Sequence, residues 1–423
     1  MRTTPRITLS LAEYIHMVFA LAAIVIQVLW TATTKSPWRL FGSADDKRNY
    51  LRAVALKLIQ SSEDWFSIRI TQFLMPSTRT MIAYWGRTRR TTIYQDNVAI
   101  PGDAPSPVLH WIGSKPGAET SRKVMLYVHG GGFVLPISEG HISLANKLLV
   151  EAKRMNNVPI HLAIAEYSIA PYRQYPTQAN QCLAILHHLH SKYGFDSSDI
   201  VLAGDSCGAA ICLSVVSQIL HPSPTILSPP FSKVAMKPFA GLFLISPWTS
   251  LATTALSYTT NAKIDTISPK IIRRFRECYI AQSELLPSAT VSPFEIAGVT
   301  GRQYRSSKDP PIIGLERGVG ITRPIGSIQR DAESDDWWKD LFRVVRRVVV
   351  SVGEYECFRD DILAFGDEVR RSCEGDASMD LEIIRDESFH AVLISDFAFG
   401  APPSTLAARL SGWLAETFQA QPV

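Results

Sequence analysis

Gly204-Asp205-Ser206-Cys207-Gly208 follows the apolar run Ile200-Val201-Leu202-Ala203 and precedes the small-residue run Ala209-Ala210-Ile211-Cys212-Leu213. A strand therefore runs into G-x-S-x-G and out into a helix, which is the setting of a nucleophile elbow. So tight a turn leaves little room for side chains two positions before or after the serine, and Gly204 and Gly208 meet that demand. The turn lifts the Ser206 hydroxyl above the sheet edge. It also aims the free N–H groups of the helix N-terminus at the same point. Taken alone, the pentapeptide fits an ordinary strand-to-helix turn equally well, because Gly and Ser are common turn residues.

A second motif lies upstream. His129-Gly130-Gly131-Gly132-Phe133 follows the strand-like run Val124-Met125-Leu126-Tyr127-Val128. Three glycines after a buried strand let the backbone fold back, with N–H groups pointing at a developing oxyanion. A flexible glycine loop would explain this stretch by itself; the two motifs together, in this order, point to acyl chemistry at a serine.

With both motifs in view, the chain resembles the hormone-sensitive-lipase-like branch of the α/β-hydrolases, which carries H-G-G-G ahead of G-D-S-A-G-G. Ala165-Glu166-Tyr167-Ser168-Ile169-Ala170-Pro171, with Tyr175-Pro176, resembles that branch's Y-R-L-A-P…P-A segment. Leu244-Ile245-Ser246-Pro247-Trp248 resembles its strand after the elbow helix. The resemblance extends to fungal members, including membrane-anchored steryl acetyl hydrolases. It implies an α/β-hydrolase fold, with a mostly parallel central sheet flanked by helices and a helical cap. The implied layout is an N-terminal membrane anchor over 1–35, cap or lid helices over 36–97, and a catalytic domain over 98–423 with a cap or lid insertion around 257–335. It also implies an oxyanion hole built from the N–H groups of Gly131, Gly132 and Cys207. Two residues depart from the pattern: Cys207 stands for Ala, and Ala209 for Gly. Cys207 keeps its backbone N–H, and its thiol is expected to add bulk at the acyl site.

A serine hydroxyl is unreactive at neutral pH. It needs a base, and a carboxylate to hold that base's tautomer. In these hydrolases the chain order is Ser, acid, His. Arg343 to Val352 is expected as the next-to-last strand, with Gly353-Glu354-Tyr355-Glu356-Cys357-Phe358-Arg359-Asp360-Asp361 as its exit loop. That branch's pattern here is an acid, then Leu or Phe two residues on, then a pair of acids, and the resemblance places Glu356 in the catalytic position. Most relatives use Asp there, and Glu354 and Asp360 remain candidates. Asp360 and Asp361 also suit helix capping ahead of Ile362-Leu363-Ala364-Phe365. Leu381 to Ile384 is expected as the last strand, and His390 in Ser388-Phe389-His390-Ala391 falls where the branch keeps its histidine.

At 423 residues the chain has room for one large α/β domain and a cap. A net charge of +4 is small for this length and argues against a nucleic-acid partner. The six cysteines are scattered without a C-x-x-C pair, so neither a zinc site nor a disulfide framework is indicated. His187, His188 and His190 lack a second liganding pair and suit a solvated helix face. Arg87, Arg89 and Arg90 suit a solvated turn. Leu11 to Trp30 is an apolar stretch broken by Glu13, His16 and Gln27, long enough to span a bilayer. It is expected to be an uncleaved, single-pass signal anchor, placing the protein in a membrane of endoplasmic-reticulum type; a cap helix is the rival reading.

Along the rest of the chain, helices are expected over Asp45 to Phe73, Thr177 to Tyr193, Ser257 to Ser283 and Thr405 to Phe418. The first strands are expected at Val108 to Ile112 and Val124 to Val128, with others at Ile160 to Ala165 and Phe239 to Ile245. Leu285 to Arg330 is rich in Pro, Gly and Arg and lacks clear periodicity, and Phe294 to Asp331 is expected to include a long lid loop or a disordered insert. The resemblance implies a serine carboxylester hydrolase that takes a small acyl group, often acetyl, off a bulky apolar alcohol such as a sterol or secondary metabolite. It would need no metal or organic cofactor. Two rivals stand beside this: another acyl, lactone or condensation step on the same triad, and a non-catalytic small-molecule-binding protein on the same fold.

Overall fold

Val124-Met125-Leu126-Tyr127-Val128 is buried at every position. A continuous apolar run of that length is stable as a strand only with helices covering both faces. In the computed structural model such strands alternate with helices. It describes residues 7–102, 105–117, 123–224, 226–231, 233, 236–280, 337–402 and 404–419. The chain opens with α1 (Leu11–Thr34), a 3-10 turn (Pro37–Phe41), α2 (Ala44–Trp65), α3 (Ile68–Leu74) and α4 (Thr78–Thr88). There follow β1 (Ile93–Asn97), β2 (Val108–Ile112), β3 (Val124–Val128), α5 (Glu139–Asn156), β4 (His161–Glu166), α6 (Thr177–Tyr193), β5 (Ile200–Asp205), α7 (Cys207–Leu220) and β6 (Gly241–Ile245). The last part holds α8 (Ser257–Thr260), α9 (Pro269–Tyr279), α10 (Leu341–Val344), β7 (Val348–Gly353), α11 (Arg359–Ser372), β8 (Leu381–Asp386), α12 (Val392–Ala398) and α13 (Thr405–Gln419).

The described strands form one sheet in the order β1-β2-β4-β3-β5-β6-β7-β8. β2 runs antiparallel to β1 and β4; the pairs from β4 onward are parallel. Register brings the motifs together. Val128 at the end of β3 lies beside Gly204 near the end of β5, so the glycine loop and the elbow leave neighbouring strands at the same edge. Gly353 pairs with Asp386, so the loops after β7 and β8 leave at that edge too. Ligands of open α/β sheets bind at this carboxyl edge.

Two layers cover the sheet. Ile185 and Leu189 of α6, Ile211 and Val215 of α7, and Phe365 of α11 pack on one face. Trp85 of α4, Leu148 of α5, Leu393 of α12, and Leu410 and Trp413 of α13 pack on the other. Burying each such side chain contributes about 1.5–3 kcal/mol, which makes the sheet a rigid base for the loops at its edge.

The structure differs from expectation in four places. β1 precedes the expected first strand, and the sheet thus begins before residue 98. Its sequence, Ile-Tyr-Gln-Asp-Asn, has a mostly exposed edge pattern with little apolar signal. Asp45 to Phe73 is not one helix: Phe66 is extended, and Ser67 starts α3 by accepting the Ile70 N–H with its side chain at 3.2 Å. Ser257 to Tyr279 is likewise broken, because Ser268 caps a helix with Pro269 in its first turn. Arg343 and Val344 belong to α10, and the strand starts only at Val348. The lid loop or insert expected over Phe294 to Asp331, and most of the insertion expected around 257–335, lie outside the described residues.

Candidate active site

Ser206 sits between β5 and α7 at φ 51° and ψ −120°, a conformation outside the comfortable regions for a non-glycine residue. The surroundings hold it there. Its N–H bonds to Ile245 O at 2.9 Å, and its carbonyl accepts the Trp248 N–H at 3.0 Å. Gly208 is needed for clearance: a Cβ there would sit 2.1 Å from Val128 O. The glycine loop is tied to the elbow through Asp205, whose Oδ1 accepts the Gly130 N–H at 2.9 Å and the Tyr127 hydroxyl at 2.6 Å. His141 faces Asp205 Oδ2 at 3.3 Å. The Ser138 N–H donates to His141 Nδ1, so in the neutral ring the proton is on Nε2, toward the carboxylate. Burial by itself would raise the Asp205 carboxyl; the charge and hydrogen bond of His141, then Tyr127 and the Gly130 N–H, outweigh it and hold the group below the ordinary value.

Gly131 and Gly132 both have positive φ, at 106° and 62°. A Cβ on Gly132 would lie 2.0 Å from the Phe275 ring of α9, so the cap closes directly on this loop. Gly131, Gly132 and Ser206 line one cavity. Cys207 begins α7, where a first-turn N–H has no partner within the helix. Its thiol does not add bulk at the cavity, contrary to expectation. It is turned back beneath the glycine loop, where Sγ accepts the Phe133 N–H at 3.0 Å and lies 3.8 Å from the Tyr167 hydroxyl. Burial pushes this thiol up to about 12.

The three candidate acids after β7 part company. Glu356 is fully buried; Oε1 accepts the Gly353 N–H at 2.6 Å, and Oε2 meets His390 Nδ1 at 2.7 Å. Glu354 turns outward to Arg385, with one contact at 2.9 Å. Asp360 accepts the Ser257 N–H at 2.8 Å. With Nδ1–H donated to a carboxylate, the neutral His390 ring presents Nε2 as an acceptor. Burial lowers the affinity of His390 for a proton, but the hydrogen bond and charge of Glu356, followed by the charge of Asp265, outweigh it and leave the value above 6.5.

The cavity measures about 550 Å³. Ser206 and His390 line its floor together with Gly131 and Gly132, and Leu58, Phe66, Leu74, Ile271 and Phe275 form much of its apolar wall. α2, α3 and α9 are thus its cap. Glu63 is a polar exception in the wall. Burial, then the charge of Asp265, raise its carboxyl to about 9.

Two features escaped the sequence reading. Asp265, just ahead of α9, bonds to the backbone of both the acid loop and the histidine loop, at Cys357 and His390, each at 2.7 Å. The Asp205–His141 pair was equally hidden. Asp205 stands in the elbow pentapeptide and His141 shortly after the glycine loop, and nothing in the sequence pairs them. His187, His188 and His190 do not converge: the first meets Ser228 O at 2.7 Å, the second Asp96 at 3.4 Å, and the third Phe195 O at 3.0 Å. Among the described residues no cluster of three or more His, Cys, Asp or Glu could hold a metal ion.

A family model described as the alpha/beta hydrolase fold matches residues 125–302, which span the glycine loop and the elbow. The chain has the α/β-hydrolase fold. The chain is 27% identical over 270 residues to the "Putative steryl acetyl hydrolase mug81" of Schizosaccharomyces pombe, covering 63% of this chain and 58% of that protein. It is 26% identical over 198 residues to the "Putative acetyl-hydrolase LipR" of Mycobacterium tuberculosis, covering 47% of this chain and 58% of that one. The chain thus spans a little under three-fifths of both curated relatives. Carboxyl esterase 2 of Tuber melanosporum superposes with a TM-score of 0.51 at 18% identity, over 78% of this chain and 87% of its own. An esterase of Rhizomucor miehei gives 0.55 at 14% identity, over 86% and 95%. At such identities the likeness concerns the fold.

Proposed function

We propose that this hydrolase is a serine carboxylester hydrolase that removes a small acyl group, acetyl in the first instance, from a bulky apolar alcohol such as a sterol or a secondary metabolite. The observation that carries the reading is the 2.7 Å Glu356–His390 contact beside Ser206 at the floor of a largely apolar cavity. Ser206 Oγ attacks the ester carbonyl while His390 Nε2 takes its proton. Glu356 keeps the ring in the required tautomer and stabilises the imidazolium. The N–H groups of Gly131, Gly132 and Cys207 receive the oxyanion. As the tetrahedral intermediate collapses, the C–O bond to the alcohol breaks and His390 returns the proton to the departing oxygen. A water molecule then gives its proton to His390 and adds to the acyl carbon. Ser206 leaves with that proton, and a carboxylic acid is released.

The acyl group and alcohol class follow from the named relatives and from the apolar wall. α1 is long and apolar enough to cross a membrane by length and composition. Attachment to a membrane of endoplasmic-reticulum type would place the enzyme where such alcohols dissolve. The test is hydrolysis of acetylated sterols and terpenoids against short-chain aryl esters, with Ser206→Ala as control. Release of free alcohol and acetate by wild type, lost by several orders of magnitude in the variant, is expected. Tight binding of these esters without turnover would replace the reading with a binding protein. Transfer of the acyl group to a second alcohol, without net hydrolysis, would replace it with a biosynthetic acyl step.

A further inference from the structure

α1 carries two stripes. Glu13, His16, Ala20, Ile24 and Gln27 recur at helical spacing on one side. All are engaged with the body of the protein. Ala20 and Ile24 pack against Phe66 and Ile70. His16 Nε2 donates to Trp65 O at 2.8 Å, Gln27 Oε1 accepts the Ser61 hydroxyl at 2.9 Å, and Glu13 pairs with Arg69 at 3.3 Å. Near the C-terminal end, the Tyr50 hydroxyl donates to Ala32 O at 2.9 Å. The opposite stripe is bare: Val18, Phe19, Ile26, Leu29 and Trp30 are exposed, Phe19 by 70% and Trp30 by 71%. The 3-10 turn beyond continues it with Trp38 and Phe41, exposed by 78% and 84%. Soluble surfaces seldom carry an apolar strip of this extent.

A helix that spans a bilayer must be apolar, or satisfied, all round. To span, α1 would have to leave α2 and α3 and take Glu13, His16 and Gln27 toward lipid without their partners. The alternative is to drag α2 along, and α2 carries Asp45, Asp46, Lys47, Arg48, Arg52 and Lys57. Each charge at mid-membrane costs roughly 2.5–3.5 kcal/mol. Lying flat avoids both costs. The polar stripe keeps its bonds and the outer stripe enters the acyl region, with the aromatic residues at the interface.

We propose that α1 is an in-plane membrane helix: its outer stripe is sunk in one leaflet while its inner stripe stays docked on the cap, so the chain does not cross the bilayer. This rests on the membrane attachment argued above and sharpens it. Leu58 and Phe66 belong both to the seat of α1 and to the wall of the cavity. The bilayer therefore bears on the outside of the cap, and an ester dissolved in that leaflet lies on the cap's own side.

The test uses full-length protein with different epitope tags at its two ends, in sealed microsomes. The expected result is co-sedimentation with membranes and both tags equally open or equally closed to protease. Tags on opposite sides would overturn the in-plane helix while leaving membrane attachment intact. Full-length protein in the supernatant would overturn the attachment itself, and the inference with it. A second measurement does not depend on sidedness. In the membrane-bound Gln27→Cys/Ser61→Cys variant, a short thiol crosslinker should join α1 to α2; failure to crosslink while bound would show the dock abandoned and overturn the proposal. Val18→Asp/Phe19→Asp should weaken binding to phosphatidylcholine–phosphatidylserine vesicles by more than about tenfold, with hydrolysis of p-nitrophenyl acetate unchanged. Undiminished binding would overturn the assignment of the outer stripe.

Discussion

Asp265 Oδ1 accepts the backbone N–H of His390 at 2.7 Å. Its other oxygen accepts the N–H of Cys357, the residue after Glu356, also at 2.7 Å. One carboxylate thus fixes the spacing between the loops that carry the acid and the base. Thr266 adds a hydrogen bond to His390 O at 3.2 Å, and Gln60 of α2 donates to Asp265 O at 2.9 Å, which joins this clamp to the cap.

Asp265→Asn keeps the shape but replaces one acceptor with a donor facing an N–H. A shift of about 1 Å in a reacting group can cost 100-fold, so kcat should fall roughly 10- to 100-fold with little change in KM. The acid limb of the pH profile should also move to lower pH, because the charge of Asp265 helps to raise His390. A loss of rate that merely follows a loss of folded protein, with an unmoved limb, would reduce Asp265 to a structural residue.

Glu356→Gln should be far more damaging than Glu354→Gln or Asp360→Asn. An amide can donate to Nδ1 and so favour the wrong tautomer, which in a related triad costs about four orders of magnitude. The pH dependence follows from the same contact. His390 must be neutral to accept the serine proton, and its value is raised above 6.5. Activity should therefore be lost as pH falls through a midpoint above 6.5. In Glu356→Gln, the residual activity should show that midpoint displaced downward, since burial then outweighs what remains. Equal kcat/KM for Glu356→Gln and wild type would move the acid role elsewhere.

Much of this site was legible because its chemistry is written in contiguous residues. The elbow and the glycine loop each follow a run of buried strand, and Gly208 and Gly132 stand where a Cβ would meet Val128 O or Phe275. The choice among Glu354, Glu356 and Asp360 was narrowed by spacing and left open by it, because residues two apart differ in direction more than in position. Asp265 was invisible for another reason. Its partners lie 92 and 125 residues away, and nothing in Lys263-Ile264-Asp265-Thr266 records them. The Cys207 thiol lies under the glycine loop and not at the cavity, since helix direction, and not sequence position, decides where a first-turn side chain points. In α1 the polar breaks were visible, but that all of them lie on one docked stripe depends on where α2 and α3 sit.

Glu63 should make the fold less stable toward alkaline pH. Burial, then the charge of Asp265, raise its carboxyl from 4.5 to about 9. Because the folded value exceeds the unfolded one, the contribution of the protonated group is complete below pH 4.5 and is lost as pH rises toward 9. Glu63→Gln is neutral at every pH. It should match wild type in thermal denaturation near pH 4 and exceed it near pH 8, by on the order of 2 kcal/mol once the half-buried position is allowed for. A constant difference across that range would mean that Glu63 does not change its charge between the folded and unfolded chain.

Cys207 should act through its hydrogen bond and not through thiol chemistry. Phe133 has φ 64°, an unusual conformation for an aromatic residue. Its N–H is held by Cys207 Sγ at 3.0 Å, directly after the two glycines that line the cavity. Cys207→Ala leaves that buried N–H without an acceptor, a loss of about 1–3 kcal/mol. It also frees the loop expected to receive the oxyanion, so kcat should drop several-fold. Cys207→Ser retains an acceptor and should recover most of both losses. The thiol itself is buried and pushed up to about 12, so iodoacetamide at neutral pH should leave Cys207 unlabelled by peptide mass mapping and activity intact. Rapid labelling of Cys207 with parallel inactivation would show instead that the thiol opens to the cavity, and would return to it the role of shaping the acyl site.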